Sequence, residues 1–185
     1  MTTSAPAKSS TWTADPMHSI AEFSVKHLVV ATVKGRFREL EATLHIDEAN
    51  PENSSVEARI AVASVDTNVQ ARDADLRSDN FFSADKYPYI TFKGTRVERI
   101  DGERFRLTGD LTIRDVTKEV VLDGEYAGQI DDPYGNKRAG FTATTQISRS
   151  AFGVKWNQVL EAGGVAVGDS VKITLHLEAI RQKEE

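Results

Sequence analysis

The residues able to do chemistry are few, and their types narrow the choices quickly. The 185-residue chain has four histidines, His18, His27, His45 and His176, and no cysteine. Thiolate nucleophiles, disulfides and sulfur-ligated metals are therefore absent. No His-Glu-x-x-His segment occurs, and no two histidines are close in sequence, so no metal site is expected. Serines are plentiful, but none sits in Gly-x-Ser-x-Gly, and no glycine-rich phosphate loop is present. One stretch is dense in charge: Asp66, Arg72, Asp73, Asp75, Arg77 and Asp79. It reads as the solvated face of a short helix, with Asp73 and Arg77 spaced i,i+4 for an ion pair. Alternatively, Arg72 or Arg77 closes a cavity or meets a polar head group, a question that Arg114 and Arg149 raise too. Nothing here makes an enzyme, and a non-catalytic protein is expected.

The elements that must position these groups are mostly strands. Ala21, Phe23, Val25 and His27 share one parity, and Glu22, Ser24 and Lys26 hold the other. The alternation continues through Val33, Gly35 and Phe37. It then changes phase to Ala42, Leu44 and Ile46, which a β-bulge near residues 38–41 would produce. Further alternating runs cover 56–62, 90–95, 105–113, 120–130, 141–147 and 171–179. Asp101-Gly102 is a hairpin signal. The spacing of Val69, Asp73 and Leu76 predicts a helix over about 69–77, capped by Asp66 or Asn68. A second short helical piece is possible between 156 and 164. His45 and His176 lie on polar faces and should meet solvent. His27 has the apolar parity. It is either a buried, hydrogen-bonded histidine or a polar handle in an apolar pocket.

About eight strands with short links make an all-β domain, without the βαβ rhythm of a nucleotide-binding fold. Alternation by itself permits a sandwich or a barrel. Glycines recur inside strands at 35, 94, 109, 124 and 128, where they mark bends, bulges or close approach. Formal net charge is -5, which argues against nucleic-acid binding and gives no reason to expect attraction to an anionic membrane. No apolar run is long enough for a membrane helix. Residues 1–11 read as a flexible lead-in, 12–181 as one domain and 182–185 as a tail. Met1–Ser10 lacks an apolar h-region, so a cytoplasmic location is expected.

Several blocks in order carry a resemblance. They are Asp15-x-x-His18-Ser19, Phe23-x-Val25-x-His27, Gly35-x-Phe37, Ser64-Val65-Asp66-Thr67-Asn68, Arg72-Asp73 and Leu76-Arg77-Ser78-x-x-Phe81-Phe82. Tyr87-Pro88-x-x-Thr91-Phe92, Gly109–Arg114 with Val116-Thr117-Lys118, Gly140-Phe141 and Ile147-x-Arg149-x-x-Phe152-Gly153 follow. From Trp12 to Ile180 the chain resembles the YceI-like family, lipocalin-like proteins associated with polyisoprenoid binding. The resemblance implies a lipocalin-like antiparallel β-barrel around an elongated apolar tunnel. It also implies a bound long-chain amphiphile such as a polyisoprenoid or isoprenoid quinone, no required cofactor, and a homodimer. Carried onto this chain, the expected ligand-binding residues are Phe23, Val25, His27, Phe37, Arg72, Phe81, Phe82, Phe92 and Phe141. Two departures stand out: the segment Leu28–Lys34, and Arg114 where relatives often carry Gly. The alternatives are an enzyme using His27 as acid or base on an apolar substrate, and a structural or stress protein with a filled core.

Overall fold

The computed structural model describes residues 9–184. The strands are β1 (Ser10–Ala14), β2 (Ile20–His27), β3 (Ala31–Phe37), β4 (Leu40–Ile46), β5 (Ser55–Ala61) and the two-residue β6 (Val65–Asp66). After the helix α1 (Gln70–Arg77) come β7 (Tyr89–Arg99), β8 (Arg104–Ile113), β9 (Val116–Asp131), β10 (Lys137–Ser148) and β11 (Val167–Arg181).

Every strand pairing is antiparallel, and the sheet closes on itself into a barrel of eight staves. Three staves are each built from a pair of strands, one of them from β5 and the two-residue β6, which lie against β4 and β3 respectively. β1 and β2 lie end to end along the same edge of β11, with Trp12 opposite Arg181 and Phe23 opposite Ile173. β3 and β4 likewise succeed one another, β3 against β2 and β4 against β1. The break between them falls at Arg38-Glu39, where the change of apolar phase predicted a bulge. Closure settles the choice between sandwich and barrel.

The first strand begins at Ser10, so Ser10 and Thr11 belong to the barrel and not to the lead-in. Residues 1–8 of the lead-in lie outside the described residues, as does Glu185 of the tail. Trp12 is fully buried, and its indole N–H donates to Ser10 Oγ at 2.7 Å. Gln182 still bonds to the Thr11 carbonyl, which extends the β1–β11 ladder by one residue.

The helix covers 70–77 as its spacing predicts, but its capping is different. Val69 occupies the N-cap position and makes no side-chain cap. Asp73 instead turns back to accept from the Thr67 N–H (2.8 Å) and hydroxyl (2.6 Å). Arg77 donates to the Ala63 carbonyl, so the expected Asp73–Arg77 pair does not form. Residues 156–164 are not helical; a short 3-10 turn at Ser150–Phe152 precedes them.

Candidate functional site: an apolar tunnel

The apolar parity of nearly every strand converges on one interior. A cavity of about 490 Å³ runs inside the barrel. Its wall takes Ala21, Phe23 and Val25 from β2, Leu40 to Ile46 from β4, and Val56, Ala58 and Ile60 from β5. Leu107, Leu111 and Ile113 of β8 continue it, followed by Val120 and Leu122 of β9, Phe141 to Ile147 of β10 and Val171 to Leu177 of β11. That size lies within the range of small-molecule pockets, with the usual apolar wall and few polar groups. Part of the barrel interior is thus open space beside two packed apolar clusters, which counts against the filled-core alternative.

In-strand glycines help to shape this wall. Phe23 rests on Gly35, Phe92 on Gly109 and Phe105 on Gly124, each so closely that a Cβ would collide with the ring. The expected close approach is therefore that of aromatic rings to the neighbouring backbone. The rings then pack on one another. Phe23 lies 5.5 Å from Phe37, Phe37 is 5.7 Å from Phe82 edge-on, and Tyr126 is 5.3 Å from Phe141.

The two ends differ. One is a polar mouth formed by the β4–β5 link (Asp47, Glu48, Pro51) and the β7–β8 hairpin (Arg99–Arg104). There Gln129 donates to Glu48 at 3.0 Å, and Arg104 pairs with Asp101 at 2.7 Å. Burial pushes the Tyr126 phenol up from its ordinary pKa just inside this mouth. The opposite end is stoppered. Leu76 of α1, Phe81, Phe82 and Val154 reach into the interior, and Trp156 covers Phe81 at a ring separation of 5.5 Å.

Two arginines hold the stopper. Arg149 is buried at 7% exposure and lines the tunnel end. Its guanidinium donates to the carbonyls of Gly168, Val154, Trp156 and Val167 at 2.8–3.0 Å. Burial lowers its pKa from the ordinary value, and the charge is stabilised by carbonyl dipoles. Arg114 has φ +55, a value that favours Gly, and donates from Nη1 to the carbonyls of Phe81 and Gly153, both at 3.2 Å. Those two bonds offset a backbone conformation that Arg does not favour.

Of the residues expected to bind ligand, Phe23, Val25, Phe37, Phe81, Phe82, Phe92 and Phe141 all line the tunnel. His27 and Arg72 do not. His27 keeps the inward parity but is exposed, because β2 runs on past the stoppered end and its last residues have no barrel interior beneath them. The inward placement of His27 is therefore corrected, and an acid–base role inside the tunnel loses its residue. Arg72 is half-buried and local: Nε donates to Thr67 Oγ1 and Nη2 to the Thr67 carbonyl, both at 2.8 Å. It braces the start of α1 and does not reach the cavity. Arg149 does line it; the sequence raised a cavity-closing role for this arginine but did not place it among the expected ligand-binding residues. His45 and His176 are exposed as expected.

A second polar cluster lies outside the barrel wall. Asp15, His18 and Glu178 place possible ligand atoms within 4.8 Å of one another. Arg138 already fills the centre, donating from Nη1 to Asp15 (2.8 Å) and Glu178 (2.9 Å) and from Nε to Asp132 (2.7 Å). A metal cation there would face that guanidinium at contact distance. His18 and Arg138 hold the Asp15 carboxyl down at about 2. The cluster spans the gap between β1 and β2, where Ser19 also bonds both ways with the Glu178 backbone. It works as a seam in the barrel.

A closed antiparallel barrel with an enclosed apolar interior defines the lipocalin-like architecture. Residues 12–179 match the YceI-like domain, and the chain belongs to that family. It is 38% identical over 166 residues to Protein YceI of Shigella flexneri, covering 90% of this chain and 83% of that one. The crystal structure of Burkholderia cenocepacia BcnA superposes with a TM-score of 0.79 at 25% identity, over 89% of this chain and 98% of BcnA. A polyisoprenoid binding domain from Saccharophagus degradans shares the fold, with a TM-score of 0.69 at 15% identity over 92% of this chain and 98% of that domain.

Proposed function

We propose that this protein binds a long-chain apolar or amphiphilic molecule, of the polyisoprenoid or isoprenoid-quinone class, and stores or carries it without chemical change. The observation that carries this reading is the continuous apolar tunnel running from the polar mouth to the Phe81–Phe82 stopper. Each CH₂ moved from water into such a wall contributes about 0.8 kcal/mol, so a few prenyl units supply substantial affinity. The mouth residues Glu48, Gln129 and Arg104 offer donors and acceptors to a polar head that stays near water. Membership of the YceI-like family supports the reading, as does the shared fold of the polyisoprenoid binding domain.

Organic extraction of protein purified from its native host, followed by mass spectrometry, tests it. The expected result is a stoichiometric prenyl lipid, and uptake of added prenyl quinone by the stripped protein. A clean extract together with no uptake overturns the proposal.

A further inference from the structure

The stoppered end of the barrel carries an apolar projection that the tunnel does not use. The β2–β3 link is Leu28-Val29-Val30, and it stands against the 156–166 loop. The Leu28 N–H donates to the Ala166 carbonyl at 2.9 Å, and Val29 packs at Gly164. Val159 and Val165 bridge within that loop. Val29, Val30 and Val159 are 62%, 87% and 81% exposed, and Leu28, Trp156 and Val165 are also exposed. Leu28 and Val29 both have positive φ, +51 and +67, a costly conformation for a β-branched valine. The backbone thus holds large apolar side chains outward at a tip whose conformation itself is strained.

Charge around the tip is predominantly positive. From Ser24 to Arg36 the chain contains Lys26, Lys34 and Arg36 and no acid. Lys34 sits opposite Ser24, which in turn sits opposite Lys172, so these lysines share the outer face near the tip. Lys155 adjoins Trp156 in the second loop. All four lysines are exposed. Of the nearby acids, Asp169 is held by Ser148 and Ser150, and Glu161 is the one acid between 154 and 166. This end is cationic in a protein of net charge -5.

We infer that this tip is a docking surface for an anionic lipid bilayer. Interfacial elements sink apolar side chains about 5–10 Å into the headgroup boundary while cations stay at headgroup height. Lys26 stands two residues from the tip, about 7 Å at strand rise, which matches that depth, while Lys34 lies about twice as far back. The remaining surface, net acidic, is repelled by the same bilayer, so only this end approaches. The projection is continuous with the stopper, because Trp156 lies on Phe81 at 5.5 Å. The inference stands on this surface alone and does not depend on what fills the tunnel.

The test is co-sedimentation with vesicles of phosphatidylcholine, with and without phosphatidylglycerol at about one lipid in three. The protein should bind the phosphatidylglycerol vesicles and be released by high salt. Of the two tryptophans, Trp12 is fully buried, so an emission shift on binding reports Trp156. Val30→Asp with Val159→Asp, at positions too exposed to matter for folding, should weaken binding at least about tenfold. Lys26→Glu should weaken it by about fivefold or more. Absence of binding to phosphatidylglycerol vesicles, or equal binding by the double variant, overturns the inference. So does a dimer that the double variant dissociates while vesicles bind neither form, since the face then belongs to a second copy of the chain.

Discussion

Phe23 seats its ring on the backbone of Gly35, the residue directly across the β2–β3 ladder. The absence of a side chain on one strand is what lets the other strand lay an aromatic ring along the tunnel wall. The same relation joins Phe105 to Gly124. Gly35→Val should therefore lift Phe23 into the cavity. Overpacking of this kind costs about 1–3 kcal/mol. The expected outcome is a lower urea midpoint and weaker uptake of prenyl quinone, with Gly124→Val behaving alike.

Arg149→Met should loosen the stopper. It takes the guanidinium donor away from four carbonyls, of which only that of Val167 keeps a second side-chain donor, Asn157 Nδ2, and such losses total about 3 kcal/mol or more. Limited proteolysis should then cut between 154 and 166 sooner than in the wild type. Unchanged cleavage would count against the stopper role.

Arg114→Gly sets two effects against each other. Relief of the positive φ stabilises by about 1 kcal/mol, while two hydrogen bonds of similar size are lost. Global stability should change by less than about 1 kcal/mol. Hydrogen exchange should nonetheless quicken at Phe81–Ser83 and at Gly153–Val154, because Arg114 ties those segments together.

The Asp15–Arg138 seam makes stability depend on acid. His18 and Arg138 hold the Asp15 carboxyl at about 2 in the folded state, below its ordinary value of 3.8. A depressed carboxyl stabilises the fold above its unfolded pKa and ceases to do so as pH falls through the folded value. Asp132, also held low by Arg138, acts in the same direction. Denaturant midpoints should thus fall between about pH 4 and pH 2. Asp15→Asn should be less stable at neutral pH and show a shallower decline over that window.

Much of this architecture was legible because one face of each strand is in contact with a single interior. Period-2 runs identified the wall residues, and a phase slip located the β3–β4 break within a residue or two. His27 misled because parity reports which way a side chain points and not whether any barrel remains beneath it. Arg72 misled because a short helix can use its arginine to brace its own first turn. Arg138 went unnoticed for a different reason. It meets Asp15 across 123 residues of chain, and nothing local marks a seam assembled that way. The closure into a barrel also depended on β1 and β2 sharing β11, a relation between the beginning and end of the chain.

That shared edge lets the molecule be rewired. Because Ser10–Ala14 lies against Ala179–Arg181, the first and last strands are neighbours in the ring, and no stave is privileged as the start. A short linker from Gln182 back to Ser10, with new ends opened at the Asp101-Gly102 hairpin, would preserve every stave and its order around the circle. The protein is in this sense a loop of strands cut at one arbitrary seam.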